Sequence, residues 1–245
     1  MSEKIINLEN VSKKYLLKNR ENKNHGDFIK SIFIKAEFYA LQDISLTIND
    51  GDHVGFLGKN GAGKTILLKL ISGIVYPSSG TIKIVKPIFP IFEYGAGFHP
   101  ELTGRENIFL YGSLLGIRVK EIKRNFDEVV DFSELENFLE LQLKYYSTGM
   151  KIRLAFSVAS LLKPEILLLD EPSLGLDPNM MYEIFKIIKE INKQGTTIIL
   201  VEQNARMALA LANKINILQT GRIAFSGDKN EANLNVLKKI YFGEK

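Results

Sequence analysis

The feature that most constrains the fold of this chain is a glycine-rich segment between a predicted strand and a predicted helix. Residues 53–57 form an apolar run typical of a buried strand, and residues 65–72 have the apolar spacing of a helix. The segment between them matches the pattern G-x-x-x-x-G-K-[ST] at every fixed position, with Gly58, Lys59, Asn60, Gly61, Ala62, Gly63, Lys64 and Thr65. Such a loop turns backbone N–H groups and a helix start towards a phosphate group. The sequence therefore predicts a nucleoside triphosphate site.

Two acidic residues supply the second half of this predicted site. Asp170 and Glu171 directly follow the apolar run 166–169, which is typical of a buried strand. Ligands of open α/β sheets bind at the carboxyl ends of the strands. We expect Lys64 to reach the β- and γ-phosphates, Thr65 and Asp170 to bind Mg²⁺, and Glu171 to orient or deprotonate a water molecule.

Composition excludes several other classes of protein. Of the 245 residues, 45% are hydrophobic and 24% are charged, which is typical of a globular domain and not of a disordered chain. Cysteine is absent, which excludes a disulfide framework and a cysteine-based zinc site, and with three histidines far apart in sequence we expect no His-rich metal centre. No apolar run is long enough to cross a membrane, and the first residues do not resemble a secretory signal. We expect a protein that is made in the cytoplasm and stays there.

Positive charge is concentrated near the start of the chain. The net charge is +4, and residues 13–35 contain seven basic and two acidic residues. A solvated loop with scattered lysines is the simpler interpretation, and a surface facing nucleic acid or anionic lipid is the alternative. The chain lacks interleaved basic and aromatic repeats that would stack on bases, so we expect no nucleic acid partner.

Strand-like and helix-like segments alternate along the chain. This alternation predicts an α/β fold with a mostly parallel sheet and a helical insertion between about residues 100 and 162. Within that insertion we expect breaks near Gly112 and Gly116. Residues 215–225, with a turn at Thr220 and Gly221, predict a closing hairpin.

Two further motifs resemble those of one ATPase family. Residues 146–150, with the sequence YSTGM, resemble the signature loop of ATP-binding-cassette (ABC) ATPases, and residues 172–177, PSLGLD, resemble the loop that crosses their dimer interface. This resemblance covers essentially the whole chain and implies a P-loop NTPase of the ABC ATPase fold. It implies one nucleotide-binding domain over 1–245, with a mostly parallel core sheet, an antiparallel β subdomain and an α-helical subdomain inserted at about 95–162.

The same resemblance assigns roles to individual residues. Two copies would enclose two ATP molecules, with Ser147 and Gly149 of one copy facing the γ-phosphate held by the other. The family places an aromatic ring on the adenine base, and Tyr15 matches it best by position, with Phe38 and Tyr39 as rivals.

Two positions depart from the family pattern. Glu93 stands where most members have a glutamine that senses Mg²⁺, and Gln203 stands where most have a histidine that contacts the γ-phosphate. A carboxylate still binds Mg²⁺ or its water. Glutamine forms hydrogen bonds but carries no positive charge. We therefore expect ATP hydrolysis that is competent but slow.

The chain resembles two kinds of transporter ATPase. Residues 95–107 closely resemble the ATPase subunits that export lipid-linked O-antigen, capsule or teichoic acid, whereas 170–176 and 201–207 resemble ATPases of branched-chain amino-acid importers. A soluble ABC ATPase without a transporter is a third possibility. The segment after Glu93 normally meets the membrane subunit in this family, so we give it more weight and favour polysaccharide export.

Export implies particular partners and a particular place in the cell. We expect a polytopic transmembrane permease, a second copy of this chain, and a peripheral position on the cytoplasmic face of the membrane. Because the sequence ends soon after the closing hairpin, we expect no additional C-terminal carbohydrate-binding domain.

Overall fold

The computed structural model describes residues 3–18, 35–91 and 95–232, and these contain two sheets. The strands in chain order are β1 (Lys4–Lys18), β2 (Lys35–Asn49), β3 (His53–Leu57), β4 (Ser79–Ile84), β5 (Ile88–Ile91), β6 (Ile166–Asp170), β7 (Thr197–Glu202), β8 (Lys214–Gln219) and β9 (Arg222–Asp228). The first sheet is antiparallel, with β1 between β2 and β4. The second sheet has the order β5, β6, β7, β3, β8, β9.

The second sheet is the mostly parallel core that the sequence predicts. Strands β5, β6, β7, β3 and β8 run parallel, and β9 closes the edge as an antiparallel hairpin with β8. Strands β3 and β7 are buried along their whole length, which explains their continuous apolar sequences. The carboxyl ends of β3, β6 and β7 therefore meet at one edge of the sheet.

Helices cover the core sheet and form a separate layer beside it. They are α1 (Lys64–Ile71), α2 (Gly104–Leu114), α3 (Val119–Arg124), α4 (Phe126–Ser133), α5 (Thr148–Ser160), α6 (Pro178–Lys193) and α7 (Ala205–Leu211). Side chains fix several of their starts: Thr103 and Glu106 form a capping box at α2, and Asp177 caps α6 ahead of Pro178. Across the described residues, none of these helices is both long enough and apolar enough to span a bilayer.

Three hydrophobic clusters hold these layers together. One lies between the two sheets and includes Leu41 and Phe56, and a second packs the other face of the core sheet against α5, α6 and α7 through Phe156 and Ile188. The third joins α2 to α5 around Ile108. The helices between Gly104 and Ser160 thus have a core of their own, beside the sheet that positions the site.

The solvated-loop interpretation of the basic segment is wrong at both of its ends. Residues 13–18 belong to β1 and pair with β2, with Lys18 opposite Lys35. Lys14 forms an ion pair with Glu37 at 3.0 Å, and Lys13 Nζ donates to the Tyr76 carbonyl at 2.8 Å. Strand pairing satisfies the backbone polar groups that a loop would leave to solvent. Residues 19–34 lie outside the described part of the chain.

One of the two expected glycine breaks is also wrong. Helix α2 continues through Gly112, where an added Cβ would lie 2.6 Å from Ile122 Cδ1. Glycine there allows α3 to pack closely against α2 and does not end the helix. Gly116 does follow the end of α2, with a φ of +82° that glycine adopts without strain.

Candidate active site

The phosphate loop connects β3 to α1, as the sequence predicts. Gly61 and Gly63 have φ angles of +79° and +101°, a left-handed conformation that glycine tolerates best. Gly63 also lies against β2, because an added Cβ would be 2.6 Å from the Ala40 carbonyl oxygen. The two glycines therefore fix the curvature of the loop and its contact with the antiparallel sheet. The loop places the first backbone N–H groups of α1 where an anion binds.

Lys64 lies across this loop instead of extending into solvent. Its side chain is 5% exposed, and its ammonium donates to the carbonyl oxygens of Gly58 at 2.8 Å and Lys59 at 3.3 Å. The same nitrogen is 3.4 Å from Glu171 Oε1. The structure thus brings the predicted phosphate-binding lysine and the predicted catalytic acid into contact.

The two acids stand at the end of β6 in different environments. Asp170 ends the strand, and its Oδ1 accepts a long hydrogen bond from Thr65 Oγ1 at 3.5 Å. Burial raises the pKa of Asp170, while the Thr65 hydroxyl and the Lys64 charge act in the opposite direction. Glu171 has a φ of +49°, which is uncommon for a residue with a side chain. Its backbone N–H donates to the Val201 carbonyl at 2.9 Å, which holds this conformation.

These residues surround one open cavity of about 520 Å³. Its walls come from three regions of the chain: Phe38, Ala40, Asn60, Gly61, Gly63, Lys64, Thr65, Ile66, Asp170, Glu171 and Leu174. A second cavity of about 240 Å³ lies beside the loop and is lined by Gly58, Lys59, Asn60, Gly61, Ala62, Leu218, Gln219 and Thr220. All eight residues of the predicted phosphate loop thus line one cavity or the other.

The three aromatic candidates for the adenine contact differ in whether they line the larger cavity. Tyr15 on β1 and Phe38 on β2 are direct partners in the antiparallel register. Phe38, which is 50% exposed, lines the cavity, whereas Tyr15 and Tyr39 are not among its lining residues. The structure thus places the rival Phe38, and not the Tyr15 that the sequence favours, in the wall of a cavity that the phosphate loop also lines.

The signature-like residues lie at the start of α5, away from this cavity. Ser147 is the N-cap of the helix, and its hydroxyl accepts from the Met150 N–H at 3.2 Å. Gly149 faces α6, where an added Cβ would be 3.0 Å from Met180. Neither Ser147 nor Gly149 lines the cavity of its own chain. In one copy of the chain these residues are therefore apart from the predicted phosphate-binding residues that line the cavity.

The loop after β7 contains one residue that the sequence predicts and one that it does not. Gln203 follows the strand with an exposed side chain. Glu202, which sequence reasoning missed, is 2% exposed, and its carboxylate accepts from Ser173 N–H at 3.0 Å and Ser173 Oγ at 2.9 Å. An acid ending an otherwise apolar buried strand was the signal that could have identified it. Glu93 lies outside the described residues.

The chain resembles known proteins along most of its length. The family model described as "ABC transporter" matches residues 41–174. The O-antigen export system ATP-binding protein RfbB of Klebsiella pneumoniae is 36% identical over 227 residues, which cover 90% of this chain and 92% of that protein. The teichoic acids export ATP-binding protein TagH of Staphylococcus saprophyticus is 33% identical over 245 residues, covering 98% of this chain and 92% of the relative.

Solved structures match the fold at lower sequence identity. The ADP conformation of MJ1267, an ATP-binding cassette of an ABC transporter, superposes with a TM-score of 0.75 at 20% identity and covers 99% of this chain and 100% of its own. The dimeric post-hydrolysis state of the cassette MJ0796, bound to ADP and Pi, gives a TM-score of 0.70 at 23% identity, covering 92% and 99%. The chain therefore belongs to the ABC transporter family and has the fold of its ATP-binding cassettes.

Proposed function

We propose that this chain is the ATP-hydrolysing motor subunit of an ABC transporter that exports a lipid-linked polysaccharide of the O-antigen, capsule or teichoic-acid type. The observation that carries the proposal is the similarity, at 33–36% identity over at least 90% of the chain, to proteins named for O-antigen and teichoic acid export. The whole chain would act as one nucleotide-binding domain, with the helical subdomain at about 95–162 inserted in its core.

The segment that resembles export ATPases has a fixed shape in the structure. Asn107 is fully buried, and its side chain accepts from the His99 N–H at 2.7 Å and donates to the carbonyls of His99, Leu102 and Thr103. The Asn107 side chain thus makes four hydrogen bonds that hold the turn ahead of α2. The exposed residues of this turn therefore form a defined surface. We infer that this surface meets the permease.

Hydrolysis follows from the groups around the larger cavity. Lys64 and the loop N–H groups would bind the β- and γ-phosphates of ATP, and Glu171 would orient or deprotonate the attacking water. Gln203, at the same edge of the sheet, would donate a hydrogen bond to the γ-phosphate. Ser147 and Gly149 of a second copy would complete the site. Tyr15 or its neighbour Phe38 would stack on the adenine base.

The oxygen donors at this edge fit a magnesium ion. Thr65 Oγ1 and Asp170 Oδ1 face each other at 3.5 Å, and Mg²⁺ is held in nucleotide sites by one or two such oxygens together with phosphates and water. Thr65 and Asp170 would therefore hold the ion, with Glu93 as a further predicted ligand. Bound Mg²⁺ supplies positive charge that neutralises the phosphate oxygens.

ATP would drive transport by favouring one arrangement of two copies. A ligand shifts an equilibrium by the difference between its affinities for the two states, so ATP held between two copies favours the closed dimer. Hydrolysis removes that preference and lets the dimer reopen. The motions would pass to a polytopic permease, and the chain would lie peripherally on the cytoplasmic face of the membrane.

Replacement of Glu171 by Gln in the source cell tests this proposal. We expect surface glycan to fall while lipid-linked intermediates accumulate inside, with leucine uptake unchanged. Glu190→Gln, an exposed substitution on α6, is the matched control and should leave all three measurements at the wild-type level. Normal surface glycan with failed leucine uptake would instead identify an amino-acid importer, which the sequences at 170–176 and 201–207 resemble. Normal surface glycan together with normal leucine uptake would contradict both transport functions.

A further inference from the structure

A buried acid lies beside the proposed catalytic site and takes no part in the chemistry described above. Glu202 ends β7 and is 2% exposed, so a charged carboxylate there needs partners. It has them: Oε1 accepts from Ser173 N–H at 3.0 Å, and Oε2 accepts from Ser173 Oγ at 2.9 Å. Burial raises the pKa of Glu202, whereas the hydrogen bonds from Ser173 and from the Asn204 backbone favour its charged form.

A second contact joins the same two loops one residue away. The backbone N–H of Glu171 donates to the carbonyl of Val201 at 2.9 Å, and Glu171 adopts a left-handed φ of +49°. Consecutive residues of β7 thus hold positions 171 and 173 of the loop that follows β6. An uncommon backbone conformation persists only where surrounding contacts determine it, and these two contacts do so.

The residues around this junction face the nucleotide site. Glu171 is 3.4 Å from Lys64, and Leu174, directly after Ser173, lines the larger cavity and is 71% exposed. Gln203 follows Glu202 along the chain. The Glu202 carboxylate therefore holds Ser173, which lies two residues after the proposed catalytic acid, and Glu202 directly precedes the residue proposed to contact the γ-phosphate.

We propose that Glu202 is a positioning residue for ATP hydrolysis, which acts through Ser173 to keep Glu171 and Gln203 in one arrangement. It would influence the hydrolytic step and leave nucleotide binding unchanged, because the phosphate loop makes no contact with this carboxylate in the hydrogen bonds described. The inference rests on the proposed ATPase activity of the chain and is independent of the exported cargo.

Steady-state ATPase measurements on the purified full chain test this role. We expect Ser173→Ala and Glu202→Leu, which removes both acceptor oxygens at similar size, each to lower kcat about tenfold, the effect of losing one positioning hydrogen bond, with KM for ATP within about twofold of wild type. The double variant should be no slower than the slower single variant, because both changes remove the same contact. Ser173→Thr retains the hydroxyl and should recover most of kcat. Glu190→Gln is the exposed control.

Two further measurements distinguish failure of the positioning role from failure of the proposed ATPase activity. Thermal unfolding should show that each variant is folded, and Glu171→Gln should abolish hydrolysis in the same assay. Unchanged kcat in folded Ser173→Ala and Glu202→Leu, with Glu171→Gln inactive, would overturn the positioning role alone. A fold-loss of kcat in the double variant that equals the product of the two single-variant losses would also overturn the positioning role. Equal hydrolysis by wild type and Glu171→Gln would overturn the proposed catalytic function, and this inference with it.

Discussion

Phe38 and Tyr15 show that strand pairing can bring two candidate nucleotide contacts together. They lie directly opposite each other on β2 and β1, and both rings are at least partly exposed. The sequence favours Tyr15 because its distance from the chain start matches the family. The walls of the larger cavity include Phe38 and not Tyr15. A sequence pattern cannot distinguish two aromatic residues that become neighbours only when the strands pair.

Alanine substitution at these two residues decides between them. We expect Phe38→Ala to raise the Kd for ATP by at least about fivefold, because stacking of a base on an aromatic ring contributes about 1–3 kcal/mol. Tyr15→Ala is the matched control and should change the Kd by less than about twofold. Calorimetric titration with ATP at constant Mg²⁺ measures both. A loss confined to Tyr15→Ala would support the sequence-based prediction instead.

His53 gives the fold a defined sensitivity to acid. It is 2% exposed, and its Nε2 has no hydrogen-bond partner among the described residues. Burial, reinforced by the charges of Lys189 and Lys229, lowers its pKa to about 4. The folded protein therefore binds a proton at His53 less readily than the unfolded chain does, where the histidine has a pKa of about 6.5. The stabilisation is complete above about pH 6.5 and is lost as the pH falls towards 4.

Urea unfolding at two pH values measures this contribution. Between pH 7.5 and pH 5 we expect His53 to cost the wild type about 2 kcal/mol of unfolding free energy, from the linkage between pKa and stability. The variant His53→Gln removes the titrating group and should lose about 2 kcal/mol less than wild type over the same interval. An identical loss in both proteins would show that His53 is not the group responsible.

At the scale of elements, the hairpin between β8 and β9 supports the phosphate loop. Its turn residues Thr220 and Gly221 both have positive φ angles, as a tight two-residue hairpin requires. The Gly221 N–H donates to the Ala62 carbonyl at 3.1 Å, and the Gly221 carbonyl accepts from the Gln42 N–H at 2.7 Å. This turn therefore connects the phosphate loop to the antiparallel sheet, although it lies far along the sequence from both.

Gly221→Ala tests that connection. An added Cβ would lie 2.8 Å from the Ala40 carbonyl oxygen, so the turn must move as well as accept a strained φ. We expect about 2 kcal/mol of destabilisation and a rise of several-fold in the Kd for ATP. Gly116→Ala is the matched control, because Gly116 has a similar φ of +82° and, apart from its chain neighbours, no atom of the described residues lies within 4 Å of the added Cβ. It should lose about 1 kcal/mol and bind ATP normally. Equal affinities in both variants would contradict the connection.

The elements that sequence predicts best are those determined by local pattern. Strands β3 and β6 lie within one residue of their predicted bounds, because burial on both faces gives continuous apolar runs. Strand β5 was missed because it has four residues and contains Pro90, which an edge strand tolerates. The incorrect prediction of a helix break at Gly112 has a similar cause, because glycine there allows close contact with Ile122 of another helix.

The candidate site also contains residues that local sequence predicts and residues that depend on tertiary pairing. The phosphate loop and the acids at 170–171 follow from motif and position, and the structure brings them together around one cavity. The role inferred for Glu202 depends on Ser173, 29 residues earlier in the chain, and so appears only when β6 and β7 lie side by side. Tertiary pairing of this kind leaves no periodic signal in the sequence.

At the scale of the whole molecule, one copy of the chain has only part of the proposed site. The phosphate loop and its acids lie at the edge of the core sheet, whereas Ser147 and Gly149 belong to the start of α5 and do not line the cavity. If both groups contact the same phosphate, two copies must face each other in opposite orientations. We therefore propose that ATP binding brings two copies together and that Glu171 ends this state by hydrolysis.

Light scattering on purified Glu171→Gln with saturating ATP and Mg²⁺ detects whether this dimer forms. We predict a stable dimer with ATP, a monomer without nucleotide, and a monomer when Lys64→Ala is added to the same variant, because ATP prefers the closed pair and this variant cannot hydrolyse it. A Glu171→Gln protein that binds ATP and remains monomeric at saturation would contradict the account.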